Sequence, residues 1–186
     1  MFAQRAADVG GRLTGAWKHS PSPIPYSDVN LATRAAKGPA WGADSSLSEA
    51  TTVQLEYRDL SRITGDRSFE DFASNTSQHI HKLGCKRHGG LCDMFVNAQT
   101  GQFRTGTTIT FGARADSYYE YLLKQYLQTG KKEEWLLADY AEAMDSMEKL
   151  LLRKSEPRKL DFVGELLGGE TFSPKMDHLV CFLAGT

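Results

Sequence analysis

The clearest candidate for chemistry is a carboxylate that interrupts an apolar helical stripe. Asp116 lies three residues before Tyr119 on the stripe, and Arg114 lies two residues before Asp116. A buried carboxylate is costly unless it is paired or hydrogen-bonded. Asp116 is therefore either tied to Arg114, if the helix begins near Asp116, or turned into a polar cavity. The stripe itself has helical spacing and comprises Tyr119, Leu122, Leu123, Tyr126 and Leu127.

A second carboxylate has the same kind of position. Glu49, Val53, Glu56, Leu60 and Ile63 recur at spacings of three and four residues. Glu49 is explained by a capping box with Ser46 at a helix start. Glu56 lies in mid-helix, where capping explains nothing. Either the helix turns Glu56 to solvent or Glu56 points into a polar cavity, and both alternatives stay open.

Asp177 and His178 form a third candidate, because they open the helix-like segment after the second helical pair. Asp commonly caps a helix and His often fills a polar niche, so the pair is weak evidence by itself. An acidic pocket suits polyhydroxylated ligands, whose hydroxyls donate to carboxylates. Paired carboxylates are also what glycoside hydrolysis requires, one as acid and one as base or nucleophile. The structural alternative is a buried Arg–Asp tie between elements.

The elements that must position these residues form a repeat. Two helix–turn–helix units turn at Thr64-Gly65 and Thr129-Gly130, where Gly suits a helix C-terminal cap. Each unit is followed by a connector with the pattern of a β-hairpin, at Leu91–Phe103 and Leu160–Phe172. Helical hairpins cannot bury their apolar faces alone, so they stack or close into a ring. We expect an all-α toroid with small β-hairpins at one rim.

Composition sets further bounds. The 186 residues suffice for one domain, and a net charge of -1 gives no indication of a nucleic-acid partner. The chain has no long apolar run and no signal-peptide pattern at its start. Phe2–Leu13 has the pattern of a helix tail broken at Gly-Gly, and the apolar run at the other end stops at Thr186. We expect both ends to be truncated, so that residues 1–186 are part of a longer catalytic domain.

Several motifs together resemble the class I α-1,2-mannosidases of glycoside hydrolase family 47, and the resemblance covers nearly the whole chain. It implies a segment of an (α/α)7 barrel. It also implies inverting, calcium-dependent removal of terminal α-1,2-linked mannose from high-mannose N-glycans. The motifs are IPYSDVN, SEATTVQLEYRDLSRITGD, GARADSYYEYLLKQ, FVGEL and KMDHLVCFL.

The resemblance assigns roles residue by residue. Asp116 matches a catalytic carboxylate, whereas Glu56, Arg114, Asp177 and His178 match residues that line the sugar pocket. The general acid is expected upstream of this chain. A further catalytic Glu and the calcium-binding Thr are expected downstream, so we expect no metal ligand here and no activity from the segment alone.

The resemblance also implies a compartment and a disulfide. The partner is the high-mannose N-glycan of a glycoprotein in the endoplasmic reticulum or Golgi lumen. The parent protein is expected to be anchored in the membrane by an N-terminal segment absent here. Cys181 matches a cysteine whose disulfide partner lies outside the chain. Cys85 and Cys92 do not match family cysteines, and two free thiols are favoured there over a local disulfide.

Two other classes remain open. One is a lectin-like member of the same fold that binds mannose glycans in glycoprotein degradation without efficient hydrolysis. The other is a helical-repeat scaffold in which Glu56 and Asp116 are only structural. The intact GARAD and KMDH motifs favour the enzyme, and the position of the carboxylates on predicted inward stripes argues against the scaffold.

Overall fold

A computed structural model describes residues 1–40 and 42–186. The chain divides into two compact units. The first unit comprises Met1–Leu83 and Phe95–Phe103, and the second comprises Gly84–Met94 and Arg104–Thr186. Among the described residues, no helix is both long and apolar enough to cross a membrane.

The first unit contains five helices and two antiparallel strand pairs among its described residues, with β1 paired to β2 and β3 paired to β4. The helices are α1 (Phe2–Leu13), α2 (Gly15–Lys18), α3 (Leu47–Thr51), α4 (Gln54–Thr64) and α5 (Ser68–Leu83). The strands are β1 (Asp28–Val29), β2 (Ala36–Lys37), β3 (Asp44–Ser46) and β4 (Phe95–Asn97).

The prediction that Gly-Gly breaks the first helix is wrong, because α1 runs through both glycines. Gly10 is buried where α1 crosses α4, and a Cβ there would lie 2.5 Å from Leu60 Cδ2. The Tyr57 hydroxyl donates to the Gly10 carbonyl at 3.1 Å. Gly10 therefore permits close helix packing, which outweighs the low helix propensity of glycine.

The helix predicted across residues 46–63 is two helices. The Ser46–Glu49 capping box is confirmed at the start of α3, and the chain leaves helical geometry at Thr52. On α4 the buried residues are Gln54, Tyr57, Leu60 and Ser61. The predicted inward stripe is thus wrong at Ile63, which is 62% exposed, and Glu56 is also exposed within this chain. Tyr57 sets this face, because its ring packs against Trp17 and Phe69.

The second unit contains two long helices, four short strands and a terminal 3₁₀ helix among its described residues. These are α6 (Asp116–Gln128), α7 (Glu134–Leu150), β5 (Leu152–Lys154), β6 (Asp161–Val163), β7 (Glu165–Leu167), β8 (Thr171–Ser173) and the 3₁₀ helix His178–Gly185. Strand β5 pairs with β6, and β7 pairs with β8. Both predicted helical hairpins are confirmed, and Gly65 and Gly130 have the left-handed φ values of 76° and 66° that suit their turns.

Both predicted connector hairpins also form. In the first connector, Val96 bridges Phe103 around a turn closed by the Asn97 N–H and the Gln102 carbonyl. In the second, β7 and β8 join at Gly168-Gly169, whose φ values are 61° and 73°. The sequence did not predict the additional partner strands, β3 beside β4 and β5 beside β6.

The core of the second unit centres on Tyr119, whose ring stacks on Phe111 with centroids 4.1 Å apart. The backbone N–H of Cys92 donates to the Tyr119 hydroxyl at 3.1 Å. The buried residues of α6 are Tyr118, Tyr119, Leu122 and Gln125, so the predicted stripe is rotated and Leu127 is 54% exposed.

The prediction of free thiols at Cys85 and Cys92 is wrong, because these cysteines form a disulfide. The loop between them packs tightly on α7. A Cβ at Gly90 would lie 2.8 Å from the backbone nitrogen of Ala143, and one at Gly89 would lie 2.5 Å from Ser146 Oγ. Two adjacent glycines thus let the loop approach the helix and bring the two sulfurs together.

The close contact at Gly10 makes a stability prediction. Gly10→Ala should lower the free energy of unfolding by about 1–3 kcal/mol, because the added methyl overpacks the core against Leu60. Gly11→Ala is the matched control, since a Cβ there meets nothing within 4 Å. The control should gain about 0.5–1 kcal/mol from helix propensity. Urea unfolding of the full-length protein measures both, and equal effects would refute the packing role of Gly10.

The disulfide can be checked by peptide mapping. Trypsin cleaves after Lys86 and Arg87, so it separates Cys85 from Cys92 in sequence. A non-reduced digest of the denatured protein, alkylated beforehand, should contain one mass that joins the two peptides. That mass should vanish on reduction. Alkylated Cys85 and Cys92 in the non-reduced digest would contradict the disulfide.

Candidate active site

Asp116 is the first residue of α6, and no side chain caps this helix. Its Oδ1 accepts the backbone N–H and the hydroxyl of Ser117 at 2.7 and 3.2 Å. Its own N–H donates to the Gly112 carbonyl at 3.0 Å. The side chain is half-buried. A carboxylate in this place is favoured by the positive end of the helix dipole.

Arg114 lies in the turn that leads into α6, with φ at 81° and an exposed side chain. Helix α6 begins at Asp116, so Arg114 lies outside the helix. The two side chains are therefore not turned to different helix faces and can lie near each other. A non-glycine residue at positive φ is uncommon and costs about 1–3 kcal/mol, and such strain clusters at functional sites. The Gly112 carbonyl closes the turn by accepting the N–H groups of Ala115 and Asp116.

Asp177 packs against the same turn. A Cβ at Gly112 would lie 2.6 Å from Asp177 Cβ, so only glycine fits there. Asp177 Oδ1 accepts the Leu179 N–H at 3.0 Å and so caps the 3₁₀ helix. This bond, the charge of His178 and the backbone N–H of Ala113 hold the pKa of Asp177 below its usual range, against the opposing effect of burial.

His178 extends outward from Asp177. Its Nδ1 lies 3.3 Å from Asp177 Oδ1, and its side chain is 90% exposed. The structure therefore brings Asp177 and His178 to the turn that carries Arg114 and Asp116. The predicted α-helix after Asp177 is a 3₁₀ helix instead.

Glu56 belongs to the first unit, so its place is described only within that unit. It is exposed on α4. A cavity of about 190 Å³ opens in the first unit, but its lining is mainly apolar and comes from residues such as Trp17, Val53 and Tyr57, with Glu49 on its wall. Of the two alternatives for Glu56, exposure to solvent is the one observed within this chain.

Sequence reasoning did not assign a role to Glu165 within FVGEL. Glu165 is only 5% exposed. Its carboxylate accepts the Thr110 hydroxyl at 2.9 Å and lies 3.2 Å from Lys175 Nζ. The available signal was a carboxylate inside an otherwise apolar strand, which needs partners that the sequence alone does not identify.

A metal site needs several ligating side chains close together, and thiol chemistry needs a free cysteine. Among the residues described, no group of three or more His, Cys, Asp or Glu side chains could hold a metal ion. Cys85 and Cys92 bond to each other, and Cys181 is exposed. The pairing of Cys181 with a cysteine outside the chain stays a prediction.

The chain matches known proteins over its whole length. The family model described as glycosyl hydrolase family 47 matches residues 1–186. The human endoplasmic reticulum mannosyl-oligosaccharide 1,2-alpha-mannosidase is 54% identical over 186 residues, which is all of this chain and 26% of the human protein. Its Saccharomyces cerevisiae counterpart is 40% identical over 191 residues, again all of this chain and 34% of the yeast protein.

A solved structure shows the same fold. The alpha-1,2-mannosidase from Trichoderma reesei matches with a TM-score of 0.88 and 24% identity, over 98% of this chain and 37% of that protein. This likeness confirms the predicted fold class, which is an all-α segment of an (α/α) barrel with small β-hairpins. The chain spans between a quarter and two fifths of the length of these relatives. It belongs to glycosyl hydrolase family 47.

Proposed function

We propose that the protein containing this chain hydrolyses terminal α-1,2-linked mannose from high-mannose N-glycans, with inversion and with bound calcium. The observation that carries the proposal is the position of Asp116, a half-buried carboxylate at the start of α6. The strained turn at Arg114 and the Asp177–His178 pair lie beside it. The human and yeast relatives are each named a mannosyl-oligosaccharide 1,2-alpha-mannosidase.

Asp116 acts as one of the two carboxyl groups that inversion requires. Inverting glycosidases hold these groups about 6.5–9.5 Å apart, which leaves room for a water molecule between sugar and base. The general acid and a further catalytic Glu come from outside this chain, so residues 1–186 supply part of the site. Calcium would supply electrostatic orientation of the sugar, and its Thr ligand is expected outside the chain.

The remaining predicted residues bind the sugar. The Arg114 guanidinium donates to sugar oxygens and offsets the charge of the carboxylates. His178 is exposed and carries both donor and acceptor nitrogens, which suits sugar hydroxyls. Asp177, and Glu56 from the first unit, accept hydrogen bonds from sugar hydroxyls. Each charge-assisted hydrogen bond of this kind contributes about 1.5–3 kcal/mol.

The proposed function also indicates the cellular compartment of the protein. The human and yeast relatives are named as endoplasmic reticulum proteins, and a disulfide such as Cys85–Cys92 persists in an oxidising lumen. We therefore place the protein in the lumen of the secretory pathway, where its glycoprotein substrates are found. An N-terminal membrane anchor in the parent protein is part of the proposal.

Asp116→Asn tests the catalytic role. In the full-length protein, kcat for release of α-1,2-linked mannose should fall at least about 100-fold, because general acid–base catalysis contributes about 10²–10⁴-fold. The urea midpoint should barely move, since the change is nearly isosteric. Asp145→Asn on the exposed surface of α7 is the control and should keep full activity. Near-normal turnover by Asp116→Asn would refute the catalytic assignment. If the wild-type protein binds the glycan but does not hydrolyse it, that result would support the lectin-like alternative.

The lowered pKa of Asp177 predicts how stability depends on pH. A carboxyl group whose pKa is depressed by folding stabilises the fold above its unfolded pKa of about 3.9. That contribution disappears as the pH falls through the lower folded-state pKa. The wild type should therefore be more stable than Asp177→Asn at pH 5–7, and the two should converge once the pH is below the lowered folded-state pKa. Thermal unfolding across pH measures the difference, with Asp145→Asn as a charge control; a gap independent of pH would contradict the prediction.

A further inference from the structure

The Glu165 carboxylate is buried on β7 and has no part in the proposed chemistry. Burying a carboxylate is costly unless hydrogen bonds and an opposite charge compensate. Both are present. Thr110 Oγ1 donates to Glu165 Oε1 at 2.9 Å, and Lys175 Nζ lies 3.2 and 3.4 Å from the two carboxylate oxygens.

Thr110 connects Glu165 to the Asp116 turn. The Thr110 hydroxyl also accepts the Gly112 N–H at 2.8 Å. A hydroxyl has one proton, so donation to Glu165 leaves a lone pair for Gly112. The Gly112 carbonyl in turn accepts the Asp116 N–H at 3.0 Å. A continuous series of hydrogen bonds therefore runs from the buried carboxylate to the first residue of α6.

Lys175 connects Glu165 to the second half of the site. Lys175 lies two residues before Asp177, in the segment between β8 and the 3₁₀ helix. The Lys175 side chain is largely exposed, whereas the Glu165 side chain is only 7% exposed. Asp177 itself contacts Gly112 and Ala113. One carboxylate thus holds both segments that carry the predicted sugar-binding residues.

The backbone beneath Glu165 is firmly held. Glu165 pairs with Ser173 in the β7–β8 hairpin. Leu166 exchanges two hydrogen bonds with Ile109, each 3.0 Å long. A Cβ at Gly164 would lie 2.5 Å from the Ser173 carbonyl oxygen, so the strands are in close contact there. A rigid supporting residue of this kind is what a preorganised site requires.

We infer that Glu165 is a positioning residue: through Thr110 and Lys175 it fixes the turn that presents Asp116 and the adjoining Asp177–His178 segment. The inference rests on the proposed function, since it assigns Glu165 to that site. Glu165 acts through other residues and does not touch the sugar. Loss of its contacts should therefore lower kcat more than it raises KM.

The test uses the full-length protein with Thr110→Val, Thr110→Ser and Glu165→Gln. Thr110→Val should lower kcat about 100-fold with KM within about threefold, because a displacement near 1 Å at a reacting group costs about that much. Thr110→Ser keeps the hydroxyl and should stay within about threefold of wild type. Glu165→Gln keeps the shape but loses the charge, and should lower kcat about tenfold. Glu148→Gln, on the exposed surface of α7, is the control and should be neutral.

Amide hydrogen exchange gives a readout independent of turnover. Exchange at residues 112–116 should accelerate in Thr110→Val and Glu165→Gln, with the rest of the chain unchanged. Variants that lose stability but keep the kcat of the wild type, with unchanged exchange at this turn, would overturn the inference and leave Glu165 a purely structural residue. If Asp116→Asn stays active while the exchange changes appear, the catalytic assignment of Asp116 fails and the positioning of the turn stands. If the wild type releases no α-1,2-linked mannose while the exchange changes appear, the proposed function fails and the positioning of the turn stands.

Discussion

The second unit depends on how the chain turns into α6 beside a buried aromatic core. Phe111 is fully buried against Tyr119, so the main chain must reverse within a few residues without exposing that ring. No side chain caps the helix, and the Gly112 carbonyl takes the first N–H groups instead. Because Gly112 also lies against Asp177, a side chain at this point would push apart the two segments that carry the candidate site residues of this unit.

The turn into α6 connects the packing of the second unit to its proposed chemistry. The left-handed Arg114 and the half-buried Asp116 are each unfavourable in isolation, and the hydrogen bonds around the turn compensate for both. Asp177 stabilises the 3₁₀ helix and also faces the turn, so one carboxylate serves structure and site together. Sugar binding needs groups that are already fixed before the ligand arrives, because ordering them on binding would weaken affinity.

Local signals in the sequence predicted much of this fold. The capping box at Ser46 and the glycine turns of both hairpins arise from short-range chemistry. Features set by tertiary packing could not be predicted. Helix α1 continues through Gly10 because Leu60 packs there, and α4 turns Glu56 outward because Tyr57 takes the core position. Thr110, which bonds Glu165, and α7, on which the Cys85–Cys92 loop packs, lie far from those partners in sequence, and periodicity does not reveal such contacts.

The central proposal is that Arg114, Asp116, Asp177 and His178 form one sugar-binding surface. A crystal structure of the full-length protein with a mannose-type inhibitor and calcium tests it most directly. We expect the sugar ring within hydrogen-bonding distance of Arg114 and His178, with Asp116 facing its anomeric carbon through a water molecule. A sugar bound elsewhere, with the α6 turn covered by another part of the protein, would contradict the account.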